Sequence, residues 1–178
     1  FSVENKFSGV LTNLPNTAKY SAGFDLGALY SKIDQVKSRG LSGWTDSYNE
    51  GQAMAELVQI ARIADQIGYI DARDMAMLTV KERLEDWLKA ESGEVAFTMY
   101  YNAPWSTLIG YPAGHHMDDN LNDKHFHWGY FVSAASAIEQ FYPGWAAQWG
   151  AMVNVLITDA ACISRNDSKS PFLRNFSP

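Results

Sequence analysis

Apolar positions recur three or four residues apart along most of the chain, the spacing of one buried helix face. Leu26, Leu29, Tyr30, Ile33 and Val36 predict a first helix within 24–39, ended by Gly40 and Gly43. Met54, Leu57, Val58, Ala61, Ala64 and Ile67 predict a second over 47–67, stopped by Gly68. A third starts at Asp71, which can cap it while Asp74 adds negative charge to its first turn. Met75, Leu78, Leu84, Trp87 and Leu88 form its apolar side. The period then changes. Residues 95–101 and 107–110 are aromatic and β-prone, and Asn102, Ala103 and Pro104 lie between them, so a short hairpin is predicted. A polar loop over 112–122 leads to two more helical patterns, 125–141 and 145–163, separated by Pro143 and Gly144. Residues 1–21 and 164–178 read as irregular. The fold class is all-α: helical hairpins joined by short turns, with a short β-hairpin insertion and no internal domain boundary.

Composition narrows what such an array does. The 14 basic and 20 acidic residues give a net charge of -6, with no run of Lys or Arg. A phosphate-backbone binder shows a basic face, so nucleic acid is excluded as a partner. No run of ~18 apolar residues exists, so no membrane-spanning helix is expected. The one cysteine, Cys162, excludes an intrachain disulfide and a Cys-rich zinc site, and its apolar surroundings read as core. The stretch Gly40-Leu41-Ser42-Gly43 does not match a nucleophile elbow, and no P-loop or Gly-rich dinucleotide fingerprint is present, so no cofactor is implied. The chain opens at Phe1 without a targeting pattern and closes at Pro178 without an obvious last element. It is expected to be a piece of something longer.

The densest chemistry lies between His115 and His127, which holds all four histidines and the carboxylates Asp118, Asp119 and Asp123. Three readings compete. His125 and His127 resemble a chelating pair for a metal, but positions two apart on a helix point to nearly opposite sides. A plain reading makes this a polar loop entering a helix, with Asp123 favouring the dipole of its first turn and His127 a satisfied, partly buried histidine. The third is a carbohydrate-hydrolysing acid. Asp123 and His127, four apart, share a helix face, and Tyr100, Tyr101, Trp105, Tyr111, Trp128 and Tyr130 surround them in sequence. Sugar C–H faces pack on aromatic planes, and a carboxylic acid among aromatics is desolvated toward the protonated form that a general acid needs.

Four segments then carry a family resemblance. The run from Leu121 to Phe131, Leu-Asn-Asp-Lys-His-Phe-His-Trp-Gly-Tyr-Phe, resembles the Leu-Asn-Asp-His-His-Phe-His-Tyr-Gly-Tyr-Phe signature of glycoside hydrolase family 81. Trp105 to Pro112 resembles its Trp-Gly-x-Leu-Ile-Gly-Tyr-Pro segment, Asp46 to Gln52 its Asp-x-Tyr-x-x-Gly-Lys, and Pro171 to Phe176 its Phe-Pro-x-Leu-Arg-Asn-Phe-Asp. Lys124 and Trp128 replace a usual His and Tyr, Asn102 a common Asp, and Gln52 a common Lys.

The resemblance implies an endo-β-1,3-glucanase that inverts the anomeric centre, secreted or extracellular, with β-1,3-glucan as partner. It makes Asp123 the general acid and puts His127 in the same cleft. Asn122, His125, Tyr101, Trp105, Tyr111 and Tyr130 are the remaining candidate substrate contacts. It also implies an (α/α)6 toroid preceded by a β-sandwich, of which residues 1–178 would form part. The glutamate base is expected beyond Pro178, so the remainder of the catalytic domain is a further expected partner. Asp118, Asp119, Asp159 and Asp167 are the carboxylates otherwise available as a base. A non-catalytic β-glucan-binding module is the alternative on the same scaffold, and an unrelated helical metalloprotein a third.

Overall fold

The computed structural model describes residues 23–41, 43–162 and Phe172; the irregular ends expected over 1–21 and 164–178, and Asp167 with them, otherwise lie outside the described residues. Five helices and one hairpin follow in the order α1 (Leu26–Arg39), α2 (Ser47–Gln66), α3 (Ile70–Leu88), β1 (Thr98–Asn102), β2 (Thr107–Tyr111), α4 (Lys124–Phe141) and α5 (Trp145–Ala160). No described helix is long and apolar enough to cross a membrane.

Local chemistry explains most boundaries. The Asp25 carboxylate caps α1 by accepting from the Ala28 N–H, and Gly40, at φ 62°, closes it by donating to the Val36 carbonyl. Asp46 caps α2 by accepting from the N–H groups of Tyr48 and Asn49. The start of α3 differs from the sequence expectation. Tyr69 holds the N-cap position without a side-chain cap bond, and Asp71 sits in the first turn instead. A tertiary contact anchors this end instead: the Tyr69 ring packs on Tyr30, and its hydroxyl donates to Asp34 at 2.6 Å. At the other end of the chain α5 stops at Ala160, and Cys162 lies buried just past the helix rather than within it.

Helices α2, α3 and α4 enclose the main core, α5 packs on α4, and α1 packs on α3. Trp87 of α3 meets Phe131 of α4 edge-on at 5.6 Å, and Phe131 meets Trp128 the same way. Close approach of α2 and α4 depends on Gly51: a Cβ there would lie 2.9 Å from the Tyr130 Cβ. Ala134, Ala135 and Ala137 keep the core face of α4 equally slim. A smaller cluster, Ile33, Ala64 and Ala72, seals α1 over the far ends of α2 and α3.

The hairpin is antiparallel, with Thr98 opposite Tyr111 and Asn102 opposite Thr107. Its four-residue turn is closed by the Trp105 N–H donating to the Asn102 side chain at 3.1 Å. β2 is buried from Thr107 to Gly110, so the hairpin lies against the helices and delivers the chain, through a cis Tyr111–Pro112 peptide, to the loop that precedes α4.

Candidate active site

The start of α2, the loop over 112–123 and the first turns of α4 converge. Three consecutive loop residues lie on the cap of α2. The Ser47 N–H donates to the Pro112 carbonyl at 3.0 Å, the Ser47 hydroxyl donates to the Ala113 carbonyl at 2.7 Å, and Gly114 backs onto Asp46. Any Cβ at Gly114, which also sits at φ 68°, would overlap the Asp46 carboxylate. Burial pushes that carboxyl up, but hydrogen bonds from Asn49 and the Tyr48 N–H outweigh it and hold Asp46 below the usual carboxylate range.

The loop is held in costly backbone. Of the six non-glycine residues with positive φ among the described residues, four fall inside it: His115, His116, Leu121 and Asp123. Such residues persist where surrounding contacts over-determine them, and they concentrate at functional sites. Asp123 is the residue just before α4, at φ 55° and ψ 20°, and its side chain makes no cap bond. The expectation that it sits in the helix's first turn is therefore corrected. Its carboxylate swings out of the helix register toward the loop, where Oδ2 accepts from Asn122 Nδ2 at 3.1 Å and lies 3.7 Å from His115 Nδ1. The side chain stays 29% exposed, open enough to meet a ligand.

His127, one turn on, is fully buried. Its Nδ1 lies 2.8 Å from the Ser47 hydroxyl, and Nε2 has no hydrogen-bond partner among the described residues. The expectation of a satisfied, partly buried histidine is corrected on both counts. Tyr48 joins the site from α2. Its ring stacks on His115 at 3.7 Å, and meets His127 and Tyr130 edge-on at 5.2 and 5.8 Å. Burial, and then hydrogen bonding to Tyr48, push the Tyr130 hydroxyl up.

The other sequence candidates divide. Asn122 is exposed beside Asp123 and also donates to the His115 carbonyl. His125 is exposed and packs on Phe126, on the other side of α4 from His127. Among the described residues, no group of three His, Cys, Asp or Glu side chains could hold a metal. Tyr101, Trp105 and Tyr111 are all exposed, but they do not form one platform. The register pairs Tyr101 with Leu108 and Tyr111 with Thr98, which puts Tyr101 and Tyr111 on opposite faces of the hairpin, and Tyr101 packs edge-on against Phe172. Asp118 and Asp119 are exposed, the latter 3.1 Å from His116. Asp159 is buried, and its carboxylate receives Thr107, Leu108, Trp128 and Lys124, so it has no face left for water.

Tyr48 and Asp46 stand inside a family segment, but neither they nor His115 are among the substrate contacts that the sequence predicts. Asp46, an aspartate directly before the apolar pattern of α2, carries a local cap signal; the approach of Tyr48 to His115 across 67 residues has none.

Desolvation, the largest influence on His127, lowers it to about 4; the negative charges of Asp46 and Asp123 oppose that, while His115 and Lys124 reinforce it. A depressed histidine leaves the unfolded chain holding more protons between pH 6.5 and about 4, so stability is expected to fall as pH drops through that window and level off below it. The scale is roughly 3 kcal/mol at ~1.4 kcal/mol per pKa unit. Denaturant melts from pH 7 to 4 on the parent chain and on His127→Gln test this. The variant's curve is expected to be flatter, and parallel curves would exclude His127 as the source.

With the geometry in place, comparison with known proteins is direct. The sequence model of the glycosyl hydrolase family 81 C-terminal domain matches residues 28–178. The chain is 41% identical over its whole length to a glucan endo-1,3-beta-D-glucosidase of Acetivibrio thermocellus, and 37% identical to one of Thermobifida fusca. It covers 23% and 24% of those proteins, about a quarter of the length of each. In structure it is similar to a glycoside hydrolase family 81 protein from Clostridium thermocellum, with a TM-score of 0.84 at 42% identity, over 96% of this chain and 24% of that one. Family match, identity and superposition agree: the chain belongs to glycoside hydrolase family 81.

Proposed function

We propose that the chain supplies the acid half of a β-1,3-glucan hydrolase, cleaving internal β-1,3-glucosidic linkages with inversion, and that Asp123 is the general acid. The observation that carries this is the placement of Asp123: a part-exposed carboxylate, thrown out of helix register by a left-handed backbone, in a chain whose curated relatives are named glucan endo-1,3-beta-D-glucosidases. Because Oδ2 already accepts from Asn122, the transferable proton sits on Oδ1, which protonates the leaving glycosidic oxygen. Exposed Tyr111 and Trp105 offer apolar faces to sugar rings, and Tyr48 with His115 walls the acid on the α2 side.

Inversion also needs a carboxylate ~6.5–9.5 Å from the acid to activate water on the opposite face of the sugar. Glu50 is held by Arg83, Asp159 by Lys124, and Asp46 by its cap bonds. The resemblance to the family implies a glutamate base outside the described residues, and we adopt that. The five helices read as part of an (α/α)6 toroid, and a polymeric substrate puts the reaction outside the cell.

The test uses the 178-residue chain and, beside it, a chimaera in which this chain replaces the matching quarter of the Acetivibrio thermocellus protein. Hydrolysis of laminarin is followed by NMR of the newly formed reducing end. The chimaera is expected to release the α-anomer first. Initial β-anomer would overturn inversion, and glucan binding without any hydrolysis by the chimaera would favour a binding module.

A further inference from the structure

The contacts of Ser47 decide a proton position. A serine hydroxyl carries one hydrogen. At 2.7 Å from the Ala113 carbonyl oxygen, which can only accept, that hydrogen lies between the two oxygens. The 2.8 Å contact between the same hydroxyl and His127 Nδ1 must then run the other way, with Nδ1–H donating to Ser47 Oγ. We propose that Ser47 is a positioning residue that fixes His127 in the neutral, Nδ1-protonated tautomer, leaving Nε2 a bare acceptor one turn from Asp123.

Two features support the assignment. Nε2 is buried without a donor or an acceptor partner among the described residues, and a bare lone pair tolerates that better than an N–H bond does. The groups facing the ring also favour its neutral state as a whole. Asp46 and Asp123 would support a cation, but burial, His115 and the buried Lys124 oppose one. The functional meaning rests on the reading of Asp123 as the acid. A neutral ring places no positive charge beside that carboxyl. An Nε2 that carries no proton also cannot compete with Asp123 as donor.

The tautomer is read without any activity, from two-bond and three-bond proton–nitrogen correlations of the uniformly 15N-labelled 178-residue chain, in which four histidines must be resolved. His127 is expected to show a protonated Nδ1 and an unprotonated Nε2 from pH 7 to about 5. An Nε2–H signal in the parent chain overturns the proposal. In Ser47→Ala the ring loses its acceptor, and a mixture containing Nε2–H is expected; a folded variant that keeps the parent tautomer overturns the role of Ser47. Should Ser47→Ala fail to fold, the near-isosteric Ser47→Cys supplies the comparison and is expected to shift part of the population. In the chimaera, Ser47→Ala is expected to lower kcat about tenfold, the scale of one buried hydrogen bond, with KM little changed. An inactive parent chimaera would count against the glucanase reading alone, and the spectra against the tautomer alone.

Discussion

Asp123→Asn is expected to abolish laminarin hydrolysis by the chimaera, lowering kcat by at least ~10²–10⁴-fold, while a laminarioligosaccharide still binds with near-parent affinity. The amide keeps the shape of the carboxyl. It can still receive the Asn122 N–H through its oxygen, so the loop should hold its form. What it cannot do is deliver a proton with the acidity that a departing alkoxide requires. Placement makes this variant unusually clean. Asp123 carries no cap bond, so α4 does not depend on the side chain, and asparagine tolerates left-handed backbone as well as aspartate does. Calorimetric titration with the oligosaccharide, thermal melts and initial rates together decide it. Near-parent turnover would remove Asp123 from the mechanism, and a large fall in melting temperature would show a structural side chain instead.

Asp159→Ala is expected to cost at least about 3–5 kcal/mol, the scale for breaking a buried ion pair, which can exhaust much of the margin of a domain this size. The reason is the number of donors that one carboxylate satisfies. Oδ1 accepts from the Thr107 hydroxyl at 2.8 Å and the Leu108 N–H at 3.1 Å. Oδ2 accepts from the Trp128 indole at 2.7 Å and pairs with the Lys124 ammonium, whose side chain is fully buried. Lys124 also donates to the Thr107 hydroxyl. Truncation would strand an ammonium, an indole N–H and a backbone N–H in the core at once. A double-mutant cycle separates the causes. Lys124→Met with Asp159→Asn removes both charges and keeps one oxygen, for either the Trp128 indole or the Leu108 N–H, so the pair is expected to be markedly more stable than Asp159→Asn alone. A loss under about 1 kcal/mol for Asp159→Ala, measured by denaturant melts, would contradict the ion pair. The cluster bears on the site because Lys124 follows Asp123 directly. The buried pair ties the first turn of α4 to β2 and α5, and so sets where the acid's backbone stands.

Much of the architecture is written in short-range pattern. Apolar spacing marked every helix, because a helix buries one face and returns to it every three or four residues. Gly40 and Gly68 marked ends, and Asp25 and Asp46 stand directly before the helices they cap, because capping is chemistry between near neighbours. The hairpin followed from β-prone runs around a turn. The motif around Asp123 singled out that residue before any coordinates. The failures share a different origin. Asp71 satisfied every local criterion for a cap, yet the turn before α3 is held by Tyr69 on Tyr30 and Asp34 of another helix. Asp159 counted as an available carboxylate until the fold enclosed it with Lys124 and Trp128. Tyr101 and Tyr111 are both candidate substrate contacts by sequence, and only strand register shows that they stand on opposite faces. The left-handed turn at Asp123 and the buried contact of His127 with Ser47 were equally invisible. Periodicity and capping act over a few residues and can be read along the chain. Burial, register and ion pairing join residues 30 to 80 positions apart, and they exist only once packing has chosen which faces meet.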